Sequence, residues 1–363
     1  MERFDVAVVG AGAAGSAAAR SIVEAGRSCV VLERFPLGHA EGSSHGSARI
    51  FRLAYHHPDY VRMALHARDA WRELESASGT ELLTTTGGID IGPRAEEAAS
   101  ALAEAGVAHE WLSGEDAGER WPTLRAPSGR VLFQGDAGVC AAELALETLV
   151  RLARQAGAEV RPNTEVEEIA PSTDGVEIHT GAGTLRAGTV VVAAGGWNGP
   201  LLERSSISLP LTVTLEQVLY LERTEPLPMP TVIEWTTPAR YALADARANV
   251  LKAGEHHARR VVAADDRRHD VDRASIDRVT AWVAERFRDG GTNPSTETCL
   301  YTNTPDEDFV IDRIGPVVIS SACSGHGFKF TPLIGKLLAE LAIGEPPSVP
   351  LERFRAARFA GAG

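Results

Sequence analysis

Asp5-Val6-Ala7-Val8-Val9 is an apolar strand that runs directly into Gly10-Ala11-Gly12-Ala13-Ala14-Gly15. An Ala-rich helical stretch follows over residues 16–25, and a second apolar strand over residues 28–32 ends at Glu33. Strand, Gly-x-Gly-x-x-Gly turn, helix, strand and acid, in that order, form one βαβ unit of the dinucleotide-binding type. Gly10 makes the tight turn, Gly12 lets a pyrophosphate approach the backbone, and Gly15 lets helix and strand pack closely. The helix N-terminus offers N–H groups and a partial positive charge to phosphate. Glu33, 18 positions after Gly15, can accept hydrogen bonds from ribose hydroxyls, and its charge would repel a 2′-phosphate.

This unit alone does not separate FAD from NAD. Its place at the start of the chain, together with a late apolar strand over residues 189–194 that ends in Ala194-Gly195-Gly196-Trp197, favours flavin. Arg34, Ser43, Ser44, Val166, Ala194, Gly195 and Trp197 complete the expected contacts, with Ala11 in the glycine turn itself. Between these signals the pattern becomes strand-like, at residues 81–92, 209–221 and 241–252. Helices are expected over 60–76, 142–156, 272–288 and 333–343, with short strands near 159–161, 166–169, 176–179 and 317–320. The expected class is α/β, α+β overall. A Rossmann-like cofactor domain spans 1–80, 137–205 and 300–363, and a substrate domain on a mostly antiparallel sheet spans 81–136 and 206–299.

The 363 residues suffice for two lobes, and 44% hydrophobic with 23% charged residues is ordinary for a globular chain. A net charge of -13 argues against nucleic acid or an anionic membrane as partner. No apolar run reaches the length of a membrane span and no leader precedes the first strand, so a cytoplasmic location is expected. Cys29, Cys140, Cys299 and Cys323 have neither zinc nor CxxC spacing, which leaves any cysteine chemistry to one of them singly. Of 36 basic residues only Lys252, Lys329 and Lys336 are lysine. A lysine can lose its charge on burial as arginine cannot, so these three stand out.

Three further stretches carry a resemblance: Gly42-Ser43-Ser44-His45-Gly46-Ser47-Ala48-Arg49-Ile50-Phe51-Arg52, Cys299-Leu300-Tyr301-Thr302-Asn303-Thr304-Pro305-Asp306-Glu307-Asp308-Phe309, and Ser324-Gly325-His326-Gly327-Phe328-Lys329-Phe330. With the N-terminal turn they resemble the monomeric sarcosine oxidase and N-methyltryptophan oxidase family, flavin amine oxidases of the glycine-oxidase and D-amino-acid-oxidase fold type. The middle of the chain matches only in general pattern. The resemblance implies FAD held by an 8α-thioether to Cys299, with Cys323 structural. It implies a Gly325-His326-Gly327 turn, continued by Phe328 and Lys329, that offers backbone N–H groups to the flavin pyrimidine. Arg52 and Lys329 would hold a substrate carboxylate, His45 and Arg49 would lie beside the flavin ring, and Lys252 would help O2 react. His256, Tyr241 and Tyr301 would close the pocket, and residues 231–241, with Glu234 and Trp235, would line it. Lys336 and the charge runs 265–272 and 94–97 read as solvated surface.

The implied reaction oxidises the C–N bond of an amino acid or secondary amine to an imine, with O2 reduced to hydrogen peroxide, in a likewise implied monomer. A dehydrogenase that passes electrons elsewhere stays open. A flavin-binding protein without turnover is disfavoured, because FAD alone needs no cluster of Arg49, Arg52, Lys252 and Lys329. An NAD(P)H reductase lacks a second phosphate-binding glycine loop. Sarcosine, a bulkier N-methyl amino acid, a cyclic imino acid, a biosynthetic intermediate and a sugar-amine adduct all fit the scaffold.

Overall fold

The Arg3–Val9 strand pairs in parallel with Cys29–Leu32 on one side and Gly183–Val192 on the other, so that Val8 faces both Val31 and Val191. These strands are apolar without alternation because both faces of the sheet are covered. The Ala13–Glu24 helix packs against the Thr331–Ile343 and Ala142–Gln155 helices on one face. Glu159–Arg161 and Val317–Ser321 extend the parallel set, and the antiparallel strands Val166–Ser172, Gly175–Thr180 and Val310–Ile314 complete eight strands. A computed structural model describes residues 1–224, 228–257, 260–266 and 271–360.

A second sheet of nine strands is mostly antiparallel. Its long pair, Thr212–Glu222 and Thr292–Asn303, sets Glu216 opposite Cys299. Gly88–Ile91 joins by parallel pairing with Thr231–Glu234, which brings Asp90 beside Ile233. The Arg273–Arg286 helix, capped by the Asp272 side chain, covers this sheet with Val279, Trp282 and Val283. A small third sheet of Ala48–Phe51, Leu83–Thr85 and Gly138–Ala141 lies beside them and carries Arg49 opposite Cys140.

Two expectations change. Residues 241–252 are not one strand: Ala239–Asp245 and Val250–His256 form a hairpin, with Asn249 at φ 52° in its turn. Asp245 Oδ1 accepts from the Arg247 and Ala248 N–H groups, a local bond that competes with strand continuation. Residues 81–92 likewise split between two sheets, as Leu83–Thr85 and Gly88–Ile91. The paired strands create the cavity: its lining comes from all three sheets and from the turn around His326.

Candidate active site

One end of the cavity is the glycine turn. Gly10 sits at φ +98°, and a Cβ there would meet the Ala193 oxygen at 2.5 Å, so two parallel strands can close beneath the turn only with glycine. The first helical N–H, at Ala13, donates to Ser44 Oγ at 3.0 Å, which docks the loop after residue 40 on the helix N-terminus. Glu33 accepts from the Ala11 N–H at 2.6 Å and the Phe35 N–H at 2.9 Å. Burial works to raise its pKa, but hydrogen bonds from His39 and these two amides outweigh it and hold the carboxyl below its usual range. A carboxylate has about four acceptor positions, so capacity remains for hydroxyls from the cavity.

Arg34, Val166, Ala194, Gly195 and Trp197 line the same end. Asp265 is exposed, as expected of its charge run, and also lines this end. Its Oδ1 accepts from Trp197 Nε1 and from Arg34, each at 2.7 Å, while Arg34 lies over the Phe35 and Trp197 rings. The rest of that charge run over 267–270 lies outside the described residues. Lys336 is exposed as expected.

Toward the middle, the loop around residues 42–48 is fastened to the Thr292–Asn303 strand. Ser43 Oγ donates to the Leu300 oxygen, and His45 Nε2 lies 3.0 Å from the Thr298 oxygen. Arg49 donates to the carbonyls of Ala48, Ser43 and His45, so its guanidinium both braces this loop and faces the cavity. Cys299 is buried here. Burial pushes its thiol pKa up, while the charges of Arg49 and Lys252 pull it down. Lys252 is 3% exposed, donates to the Ala48 oxygen at 3.0 Å and points over the Tyr220 ring. Burial first and Arg49 second lower its pKa to about 7.

At the far end, Lys329 donates to the His326 oxygen at 2.8 Å, and burial holds its pKa well below the ordinary lysine value. Arg52 is 9% exposed. It donates to the Ala54 oxygen, covers the Tyr55 ring at 4.3 Å and lies 3.8 Å from Asp90. His256, Tyr241 and Tyr301 complete the wall. Burial keeps the His256 imidazole neutral, its pKa well below 6.5. Gly325, at φ +72°, leaves room for them: a Cβ there would fall 2.2 Å from Tyr301 and 2.6 Å from His256.

Three expectations need correction here. The His326 N–H is spent on the Cys323 oxygen, and its ring reaches Tyr55 and the Glu307 oxygen, so neither is a donor to the cavity. Glu234 turns away from the pocket and takes Arg286 in a two-pronged pair and Trp282 Nε1 at 2.6 Å, because alternate residues of a strand face opposite sides. Arg94 is exposed, as expected of its charge run, and its guanidinium also lies 4.9 Å from the Trp235 ring. Cys323 lines the cavity rather than the core. The sequence reading missed Asp90 altogether. Its only signal is an acid between Ile89 and Ile91 in an apolar strand.

The cavity suits a long, polar, anionic cofactor. Besides the glycine cradle, the hydroxyls of Thr302, Ser320 and Ser321 are buried along its wall without a partner among the described residues, the mark of a site completed by a bound group.

Comparison with known proteins agrees. The family model for FAD dependent oxidoreductases matches residues 5–341. Human peroxisomal sarcosine oxidase is 32% identical over 99% of this chain and 97% of its own. N-methyl-L-tryptophan oxidase of Salmonella agona is 29% identical over 98% of this chain and 99% of its own. Among solved structures, NikD, an amino acid oxidase essential for nikkomycin biosynthesis, superposes with a TM-score of 0.89 at 28% identity, covering 98% of each chain. With its glycine cradle, its cationic cavity and matches over nearly its whole length, this chain belongs to the FAD-dependent oxidoreductase family, in the sarcosine oxidase and N-methyltryptophan oxidase group, and is an enzyme of the amine and amino-acid oxidase class.

Proposed function

We propose that this enzyme oxidises the C–N bond of a small amino acid or secondary amine that carries a carboxylate, working as a monomer in the cytoplasm. The substrate loses two electrons and two protons to become an imine, and O2 takes up both to become hydrogen peroxide. The observation that carries the reading is one cavity holding a buried arginine–lysine pair, Arg52 and Lys329, at one end and Lys252 beside Cys299 nearer the middle. FAD, when bound, supplies the two-electron acceptor for the amine and the donor to O2. Residues 1–80, 137–205 and 300–363 form its lobe, and 81–136 and 206–299 the substrate lobe.

The chain's own groups do the rest. Arg52 and Lys329 take the carboxylate, the first by a fork and the second by a point charge. Neutral His256, with the Tyr241 and Tyr301 hydroxyls, orients the amine nitrogen without protonating it. That matters because an ammonium has no lone pair to drive C–H cleavage. Lys252 supplies a fixed cation where negative charge develops on oxygen. Cys299 would hold the flavin through a thioether, its buried thiol raised in pKa by desolvation and drawn back in part by the charges of Arg49 and Lys252.

The test is an anaerobic visible spectrum of the holoenzyme while sarcosine, proline, pipecolate and N-methyl aromatic amino acids are added singly. The expected result is bleaching by at least one of them, with colour and stoichiometric peroxide returning on admission of air. A spectrum unmoved by all of them would refute the amine assignment. Bleaching that air does not reverse would refute the oxidase half in favour of another acceptor.

A further inference from the structure

Asp90 is 3% exposed and belongs to a strand whose four residues are all buried. Its Oδ1 accepts from Trp235 Nε1 at 2.8 Å and faces the Arg52 guanidinium at 3.8 Å. It does not touch the cavity, whereas Trp235 and Arg52 do. The indole is held at four points: Arg52 lies 5.2 Å from its ring and Arg94 4.9 Å, His56 meets it edge-on at 4.6 Å, and its N–H is tied to the carboxylate. Its backbone N–H donates to the Ile91 oxygen, so it is pinned to the strand that carries Asp90.

A buried carboxylate near a guanidinium, yet beyond hydrogen-bond distance, leaves the fork unused and part of the charge offset. Counting charges makes the consequence plain. Without substrate, the clamp holds Arg52 and Lys329 against Asp90, one cation in surplus. Burial raises the Asp90 carboxyl pKa while Arg52 and the Trp235 N–H draw it back, and with one substrate carboxylate bound these groups balance, two cations against two anions. A second substrate carboxylate would leave an unpaired buried anion, a large cost.

We propose that Asp90 is a positioning and specificity-determining residue, a fixed counter-charge that orients Arg52 and Trp235 and restricts the clamp to substrates with a single carboxylate. The proposal rests on Arg52 and Lys329 being the carboxylate site.

The probe is acetate, with malonate as the dicarboxylate of similar reach, each titrated into the FAD holoenzyme and followed by its perturbation of the visible flavin spectrum. Wild type should bind acetate and bind malonate more weakly. Asp90→Asn keeps an oxygen for Trp235 and removes only the charge. Relieved of a like charge one guanidinium away, it should bind acetate on the order of tenfold more tightly and malonate with a still larger gain. A structural lesion loosens a site, so tighter binding is the outcome a merely structural role does not give. Unchanged or weaker acetate binding in this variant would overturn the proposal. Trp235→Phe gives a second arm should Asp90→Asn fail to fold. Without the indole N–H the carboxylate loses its stabilising bond and takes up a proton more readily, so acetate binding should shift the same way by a smaller factor. A loss of affinity there would also overturn it. If wild type itself responds to no carboxylate while FAD is bound, the clamp reading fails, and that result is separate from any variant.

Discussion

Replacing Lys252 with methionine should disable the oxygen half of the reaction and leave the amine half nearly intact. The side chains have similar length and Lys252 is buried, so the change is close to a deletion of charge in a kept shape. A unit positive charge about 4 Å from a developing superoxide-like charge is worth ~4 kcal/mol at an effective dielectric of 20. At ~1.4 kcal/mol per decade this predicts a loss of roughly a thousandfold in reoxidation. The neighbouring cation, Arg49, is committed to three carbonyls of its own loop and cannot move in to compensate. The assay is stopped-flow mixing of substrate-reduced enzyme with O2, beside anaerobic mixing of oxidised enzyme with substrate. Wild-type reoxidation should also slow as pH rises through about 7 or somewhat higher, where the ammonium loses its proton, and the variant should lack that step. Reoxidation within a fewfold of wild type in the variant would refute the assignment of this lysine to oxygen.

Cys299→Ala should abolish covalent attachment: acid precipitation should give a yellow pellet from wild type and a colourless pellet under a yellow supernatant from the variant. Arg52→Lys should raise the Michaelis constant about ten- to a hundredfold by losing the fork, measured as a rise in KM larger than any fall in kcat. Lys252→Met should stabilise the apoprotein. The unfolded chain binds the lysine proton up to about pH 10.5 and the folded one only to about 7, so wild-type stability rises with pH between these values and is poorest below 7. The variant's advantage in urea unfolding should therefore be greatest at pH 7 and below, on the order of 4 kcal/mol, and should vanish near pH 10.5. Glu234→Ala strands Arg286 and should cost ~3–5 kcal/mol of stability, seen as a lower urea midpoint, with the substrate KM unmoved.

The cofactor end of this fold was legible in the chain because its signals are local. One strand, three spaced glycines and one acid act within thirty residues, and each has a backbone reason to be there. Cys299, Lys252, Arg49 and Lys329 were found through longer stretches resembling a family, since nothing in their separate surroundings announces that they share a cavity. Glu234 and Asp90 show the limit. Glu234 lay in a segment rightly expected beside the pocket, but one step along a strand reverses the side chain, and the phase could not be fixed without the partner strands. Asp90 stood in plain view between two isoleucines. Its partners, Arg52 and Trp235, are 38 and 145 positions away in the chain, and only the parallel pairing of Gly88–Ile91 with Thr231–Glu234 brings the indole to it. The hairpin at 246–249 was missed because an Asp-initiated turn sits inside an otherwise alternating run.

Four cations of the cavity are held by backbone oxygens, which helps so acidic a chain keep a positive interior, and Arg52 among them also faces Asp90 at 3.8 Å. Arg49 donates to the Ser43, His45 and Ala48 oxygens, Arg52 to that of Ala54, Lys252 to that of Ala48 and Lys329 to that of His326. A carbonyl fixes the direction of a cation without cancelling its charge, whereas a carboxylate does both. The surface arginines of this chain are mostly paired with carboxylates, as Arg72 is with Glu75 and Arg130 with Glu96, and so contribute little field. Burial makes the carbonyl-held cations costly, which is why both lysines are shifted toward neutrality. The same cost makes the cavity favour anions, since each negative group that enters relieves it. A substrate carboxylate does so at Arg52 and Lys329, and charge developing on oxygen does so at Lys252.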